Sequence, residues 1–241
     1  VWELLTERYA QPDILRANVH SPTHCDDAVL PSLTHPAIAS AYDQLAECWV
    51  DDRFSKDNGV AQHQRAMAFL DGSGPGWALN VGCGCNTRFH ALLKGRGLDI
   101  EGVDISERMA ALAQAADASV VVHHADICLW EPPRKYRFVS AWDSIWHVPL
   151  DAQRQLMVRL MAALEPGGVF LFTAGGLDTP GEHWDAHMGP SLYYSTLGIP
   201  GLLAAIGEAD CVLRHLEFDQ HPETHLCVIA QKPVRPAIPQ T

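Results

Sequence analysis

Basic charge is scarce in this sequence: 17 Lys and Arg stand against 29 Asp and Glu, a formal net charge of −12 over 241 residues. Binding a nucleic-acid backbone relies on Lys and Arg displacing counterions, so an acidic chain without a basic run is expected to have no nucleic-acid partner. No stretch reaches eighteen apolar residues and no basic-then-apolar segment opens the chain, which leaves nothing to read as a membrane helix or leader. The 7 cysteines, at positions 25, 48, 83, 85, 128, 211 and 227, are odd in number and form no C-x-x-C pair. That spacing speaks against a disulfide framework and a zinc ribbon, and it fits a reducing, cytoplasmic setting. What is abundant is apolar: with 47% hydrophobic and 19% charged residues the chain can bury a sizeable core.

Two kinds of periodicity divide it. Over residues 1–76 "WELLTERY", "PAIASAYDQLAECWV" and "VAQHQRAMAFL" carry apolar residues at three- and four-residue steps, the pattern of a helical extension or cap. "HSPTHCDDAVLPSLTHP" between the first two is rich in helix breakers, and "DGSGPG" ends the region. Short apolar runs follow at Trp77–Val81, Ile100–Val103, Val120–Val122, Phe138–Trp142, Val169–Thr173, Cys211–Phe218 and His225–Ala230. Helical stretches at 87–95, 106–116, 151–164 and 199–209 separate most of them. Strands alternating with helices imply crossover connections and a mainly parallel sheet covered on both faces. Only "DQHPE" parts the last two runs, too little for a crossover, so an antiparallel hairpin is expected there. The main domain is thus 77–232, and 233–241 is a proline-rich tail.

"ALNVGCGCNTRFHALLKGRGLDIEGVDIS" carries the first chemical signal. Gly82 and Gly84 follow a strand and precede a helix, where glycine allows positive φ and close approach of a ligand to the backbone. The helix start offers unpaired N–H groups to an anion. Asp104 ends the next strand, where a carboxylate can accept from both hydroxyls of a ribose. Thr87 stands where a dinucleotide fingerprint wants its third glycine. The residues alone leave both a nicotinamide dinucleotide and another adenosine cofactor open.

"LNVGCGCNTR", "GVDISERM", "HHADI", "AWDSIWHV" and "LEPGGVFLFTAGG", in that order, resemble the class I S-adenosylmethionine-dependent methyltransferases. The likeness covers about 77–175 well and extends to about 232. It implies a Rossmann-like, doubly wound α/β fold: a seven-stranded, mainly parallel sheet with an antiparallel last strand, here with an N-terminal helical cap. It also implies S-adenosyl-L-methionine as cofactor and S-adenosyl-L-homocysteine as product. Carried onto this sequence, Gly82, Cys83 and Gly84 line the methionine part, Asp104 takes the ribose, and Ile105 and Met109 pack on the adenine. Asp126 accepts from the adenine amino group with Ile127 beside the ring, the backbone around Trp142 faces the amino end, and Tyr42 covers the cofactor. Two positions depart from the family pattern: Asn86 replaces a third glycine, and Arg137 replaces an acidic residue at the start of the fourth strand. Asn tolerates left-handed backbone, and Arg137 is expected at the end far from the cofactor.

Methyl transfer from a sulfonium is an in-line displacement, so the acceptor must be held in front of the methyl group, out of water. Candidates belong beyond the carboxyl ends of the fourth and fifth strands. "WDSIWHVP" supplies Asp143 and Trp146 as substrate contacts and His147 as a general base, since histidine titrates near neutral pH. The segment 175–198 is long for a connection and carries His183, Trp184, His187, Tyr193 and Tyr194, as a substrate-covering loop would. His183 and His187, like His221 and His225, are spaced as helical metal ligands can be, but among glycines and prolines the spacing loses that meaning, and no metal is expected. The reading is a methyltransferase acting on a small molecule. Its rivals are a nicotinamide-dependent oxidoreductase and a non-catalytic cofactor-binding regulator.

Overall fold

The computed structural model describes residues 34–50, 55, 57–70, 72, 74–85 and 87–234. The helix expected in "WELLTERY", Cys25, Asn86 and most of the proline-rich tail lie outside them.

Nine strands and six helices are described. In chain order they are α1 (Pro36–Val50), α2 (Val60–Met67), β1 (Gly76–Val81), α3 (His90–Gly95), β2 (Leu98–Asp104), α4 (Glu107–Ala116), β3 (Val121–His124) and β4 (Tyr136–Ala141). A 3-10 turn at Ile145–His147 follows, then α5 (Leu150–Ala162), β5 (Leu164–Gly175), β6 (Gly181–Asp185), β7 (Leu192–Thr196), α6 (Gly198–Glu208), β8 (Val212–Phe218) and β9 (His225–Gln231). Seven strands make one sheet in the order β3-β2-β1-β4-β5-β9-β8. The first five run parallel, and β9 is antiparallel to both β5 and β8. The final hairpin read from the sequence is therefore present, with its second strand inserted inside the edge.

Alternation of side chains sorts the core into two layers, as the two-residue period of a strand requires. Leu79, Val81, Phe170, Phe172, Leu226 and Val228 face α5 and α6, where Leu156, Met157, Leu160, Leu202 and Ile206 meet them. Ala78, Val169, Leu171, Cys227 and Ile229 face the other way, against Met67 at the end of α2, Leu70 just beyond it, Phe89 and Leu93. So α2, within the stretch read as a cap, packs on the sheet itself. The part of that stretch that sits over the strand ends is α1. Its apolar face, Ile38, Ala41, Leu45 and Ala46, packs toward Leu192, Cys85 and Met109.

Two local readings are corrected. The helix expected over 87–95 begins only at His90, whose N–H closes a turn on the Thr87 carbonyl. The segment 175–198, read as a loop, contains a two-stranded sheet in which His183 pairs with Tyr194 and Trp184 with Tyr193. "LYYST" has the β-branched and aromatic composition of a strand, and its glycine- and proline-rich surroundings masked it.

Candidate active site

Strand order reverses between β1 and β4, so the loops at their carboxyl ends diverge and leave a crevice, the usual ligand position in such sheets. A cleft there encloses about 920 Å³ counted out to its open mouth. Gly82, Cys83, Gly84, Asp104, Ile105, Met109, Asp126, Ile127, Trp142 and Tyr42 all line it, joined by Asp143 and His147.

The glycine turn is held open by backbone bonds. The Gly82 and Cys83 N–H groups donate to the Val103 carbonyl at 2.8 and 3.2 Å, which folds the turn back against β2. Gly82 has φ 62°, and a Cβ on it would stand 2.3 Å from Ser144 Cβ; no other residue fits. Asp104 accepts from the Gly84 N–H at 2.8 Å and the Ser106 N–H at 2.9 Å. Burial pushes its pKa up, and those two bonds pull it back. The carboxylate is thus fixed, with lone pairs left for a ligand's hydroxyls. Asp126 accepts from the Thr34 N–H at 2.9 Å, the Thr34 hydroxyl at 2.7 Å and the Cys128 N–H at 2.9 Å. Of the roughly four acceptor positions on a carboxylate, one remains.

At the other end of the cleft a hydrogen-bonded chain crosses from α1 to the hairpin. His147 Nδ1 lies 2.7 Å from the Tyr193 carbonyl and must carry the ring proton, so Nε2 is the acceptor. Nε2 receives the Tyr42 hydroxyl at 2.7 Å and the Trp146 indole N–H at 3.1 Å. Burial lowers the His147 pKa to about 4 against the raising effects of the Tyr193 carbonyl and Asp143, so the ring is neutral at physiological pH. Burial raises that of Tyr42, with Tyr194, Asp104 and Asp143 adding to it, which keeps the phenol protonated.

The remaining substrate candidates are distributed around this chain. Asp143 lines the cleft, whereas Trp146, His183, Trp184, His187, Tyr193 and Tyr194 are not among its lining residues. Trp146 and Tyr194 pack on the His147 ring at 6.2 and 4.8 Å between centroids. The Tyr193 hydroxyl donates to Glu182 and accepts from the Leu150 N–H. His183 stacks on Tyr194, and Trp184 is half-exposed, meeting His35 edge-on. His187 follows the Asp185 turn, away from any helix shared with His183. Among the described residues no group of three or more His, Cys, Asp or Glu could hold a metal ion.

A methyltransferase-domain family model matches residues 58–231, well over half of the chain. The chain belongs to that family. Solved structures with the same fold include an S-adenosylmethionine-dependent methyltransferase from Mesorhizobium loti, at 20% identity and TM-score 0.56, covering 73% of this chain and 99% of that one. Another is the 1,6-didemethyltoxoflavin-N1-methyltransferase of Burkholderia thailandensis with bound 1,6-didemethyltoxoflavin and S-adenosylhomocysteine, at 18% identity and TM-score 0.62, covering 87% and 98%. An S-adenosylmethionine-dependent methyltransferase from Leishmania major aligns at 16% identity and TM-score 0.63, covering 81% and 82%. No curated protein sequence matches significantly.

The methyltransferase has a cleft that fits S-adenosylmethionine, the family's methyl donor, on its own geometry. A buried carboxylate stands at the end of β2, a glycine turn beside it is closed to any side chain at Gly82, and Gly84 at φ 59° meets open space. The methyltransferase also brings in residues that the sequence reading missed. Arg88 lines the cleft, largely buried, its pKa lowered by burial and partly restored by the charge of Asp143. Its place just before α3, after the glycine turn, was the available signal. Thr34, Ile38 and Trp49 reach the cleft from α1 and the residues before it, which no local pattern announces. Arg137, as expected, lies at the amino end of β4, bonded to the Gly72 and Gly74 carbonyls.

Proposed function

We propose that this enzyme transfers the methyl group of S-adenosylmethionine to a small-molecule acceptor held against the Tyr42–His147 pair, and that it works in the cytoplasm. The observation that carries the acceptor's size is the roof: α1 lies across the strand ends and contributes Ile38, Tyr42 and Trp49 to the cleft wall, leaving room for a metabolite rather than a folded polymer. Free Cys48, Cys83, Cys85, Cys128, Cys211 and Cys227 support a reducing compartment.

Bound in the cleft, the cofactor supplies a methyl group on a positively charged sulfur. Asp104 takes the ribose hydroxyls, and Ile105, Met109 and Ile127 supply apolar surface for the base, with the last acceptor position of Asp126 for its amino group. Asp143, against the glycine turn through its neighbour Ser144, takes the ammonium of the methionyl end. Arg88 takes the carboxylate. An Arg and an Asp acting on each other across one cleft match the two charges of an amino acid. Asp143 thereby moves from the acceptor's side to the cofactor's.

The protein's remaining task is to orient the acceptor, exclude water and receive its proton. The Tyr42 oxygen has a lone pair free to accept from an acceptor's O–H or N–H while its own proton is donated to His147 Nε2. A proton leaving the acceptor can pass through Tyr42 to His147. A weak base suffices, because an O–H or N–H becomes far more acidic once its atom carries the extra methyl group. Trp146 and Tyr194 hold the imidazole in place from behind.

Calorimetry with S-adenosylhomocysteine, S-adenosylmethionine and the nicotinamide dinucleotides tests the cofactor assignment: saturable binding of the first two and none of the dinucleotides is expected. Incubation with methyl-labelled cofactor and a metabolite extract should then label a low-molecular-weight product. Cofactor binding without label in any fraction would favour a regulatory module instead.

A further inference from the structure

Behind Asp143, outside the cleft lining, lies a buried cluster that the reaction described above does not use. His225, the first residue of β9, is 4% exposed and stands between two carboxylates. Its Nε2 is 3.0 Å from Asp143 Oδ1 and its Nδ1 is 2.5 Å from Asp219 Oδ1. Both ring nitrogens face carboxylate oxygens, so both carry protons and the ring is an imidazolium. The ends are tied in turn: Gln62 of α2 donates to Asp219 at 2.8 Å, and Asn58 donates to the other Asp143 oxygen at 3.2 Å. Asp143 itself holds φ 54°, an uncommon backbone for a residue with a side chain, fixed by its N–H on the Thr173 hydroxyl at 2.8 Å. A non-glycine residue strained at a cleft wall and braced from three elements is a positioned group.

We propose that His225 and Asp219 are positioning residues that act through Asp143, clamping its carboxylate in one orientation in the cleft, where it takes the cofactor's ammonium. The proposal rests on the cofactor reading above. Removal of a His225 proton would undo the clamp either way: an Nε2 lone pair would face Asp143 Oδ1 and repel it, or an Nδ1 lone pair would face Asp219 Oδ1 and release the ring that orients Asp143. The charged groups facing His225 are Asp143, Asp219 and, from the turn before β9, Glu223; Arg88 acts on Asp143 from across the cleft, and the Trp142 and Trp146 rings pack against the imidazole. Burial by itself would lower the His225 pKa, but the bonds and charges of Asp143 and Asp219 outweigh it and raise it to about 9. The clamp is therefore closed at neutral pH and opens as pH rises through that region.

The test is the pH dependence of S-adenosylhomocysteine affinity in the unaltered chain and in Asp219→Asn, with thermal unfolding followed at each pH. Asp219→Asn keeps an oxygen for His225 Nδ1–H and removes one of the two charges that hold its proton. In the unaltered chain affinity should fall above about pH 9. In Asp219→Asn the fall should begin at least about one pH unit lower, leaving affinity about threefold weaker at pH 8.5 and approaching tenfold weaker well above pH 9. The ligand's own amine titrates in this range too, but equally in both proteins, so the difference between the curves reads the clamp. His225→Gln should lose the alkaline fall beyond the ligand's own and bind weakly throughout. Superimposable curves, with only the unfolding temperature lowered, would overturn the proposal and leave the cluster structural. No binding by the unaltered chain at any pH would overturn the cofactor reading first, and the proposal with it.

Discussion

Replacing Asp43 by Ala should loosen the roof of the site without touching the cleft. Asp43 sits on α1, and one of its oxygens accepts both the Ser106 hydroxyl at 2.6 Å and the Arg108 N–H at 3.1 Å. Ser106 caps α4, its Oγ accepting from the Met109 N–H, and its own N–H goes to Asp104. One carboxylate thus joins the roof helix, the positive end of α4 and, through Ser106, the Asp104 side chain. Hydrogen bonds to a charged group contribute about 1.5–3 kcal/mol each, the second here being long and partly exposed, and a carboxylate at a helix N-terminus adds about 0.3–1 kcal/mol. A loss of ~2–4 kcal/mol in α1 docking follows. Burial of Ile38 and Leu45, the two large apolar side chains buried from α1, supplies about 1.5–3 kcal/mol each, so the Asp43 bonds are a large share of what seats the helix. The exposed Arg108–Glu47 pair adds little. Hydrogen exchange reads this directly: the amides of 36–50 should lose protection by about 30-fold or more in Asp43→Ala while the sheet amides keep theirs, and S-adenosylhomocysteine affinity should fall in parallel. Unchanged protection of α1 would refute the reasoning, because the helix would then be seated by its apolar face alone.

Four further substitutions separate the parts of the site. Asp104→Ala should weaken S-adenosylhomocysteine binding by about 1–3 kcal/mol, the scale of leaving polar partners unmet, and an unchanged dissociation constant by calorimetry would remove Asp104 from the site. Arg88→Met should weaken S-adenosylhomocysteine about tenfold or more and leave adenosine binding unchanged; equal loss for both ligands would make Arg88 a scaffold residue. Tyr42→Phe should lower turnover about 10²-fold with the acceptor found by label transfer, and His147→Ala should match it, since both break one proton path. If Tyr42→Phe turns over normally, the path does not run through the phenol.

Much of this was legible because the relevant signals are local. Gly82 and Asp104 announce themselves through strand-end position and backbone conformation, and the alternation of 169–173 and 225–230 fixes which side chains enter which layer of the core. Legibility failed where the informative partner is remote in sequence. Nothing near Thr34 shows that its N–H and hydroxyl will meet Asp126, and nothing in "WDSIWHVP" shows that Asp143 will be bonded to His225. By residue type His147 reads as a general base that titrates near neutral pH. In place it is buried, neutral and already bonded to Tyr42, a residue read only as a cover for the cofactor. The hairpin β6–β7 was obscured by its flanking glycines and prolines, so nothing local showed that the carbonyl of Tyr193, expected to touch substrate, would meet the His147 ring.

A crystal structure grown with saturating S-adenosylhomocysteine tests most directly whether the cleft at the carboxyl ends of β1 and β2 is an adenosyl site. The ribose hydroxyls should lie on the Asp104 carboxylate, the base among Ile105, Met109 and Ile127, and the amino-acid end over Gly82 and Gly84 between Arg88 and Asp143. A ligand bound elsewhere, or a cleft that stays filled by α1 side chains with Asp104 turned away, would contradict it.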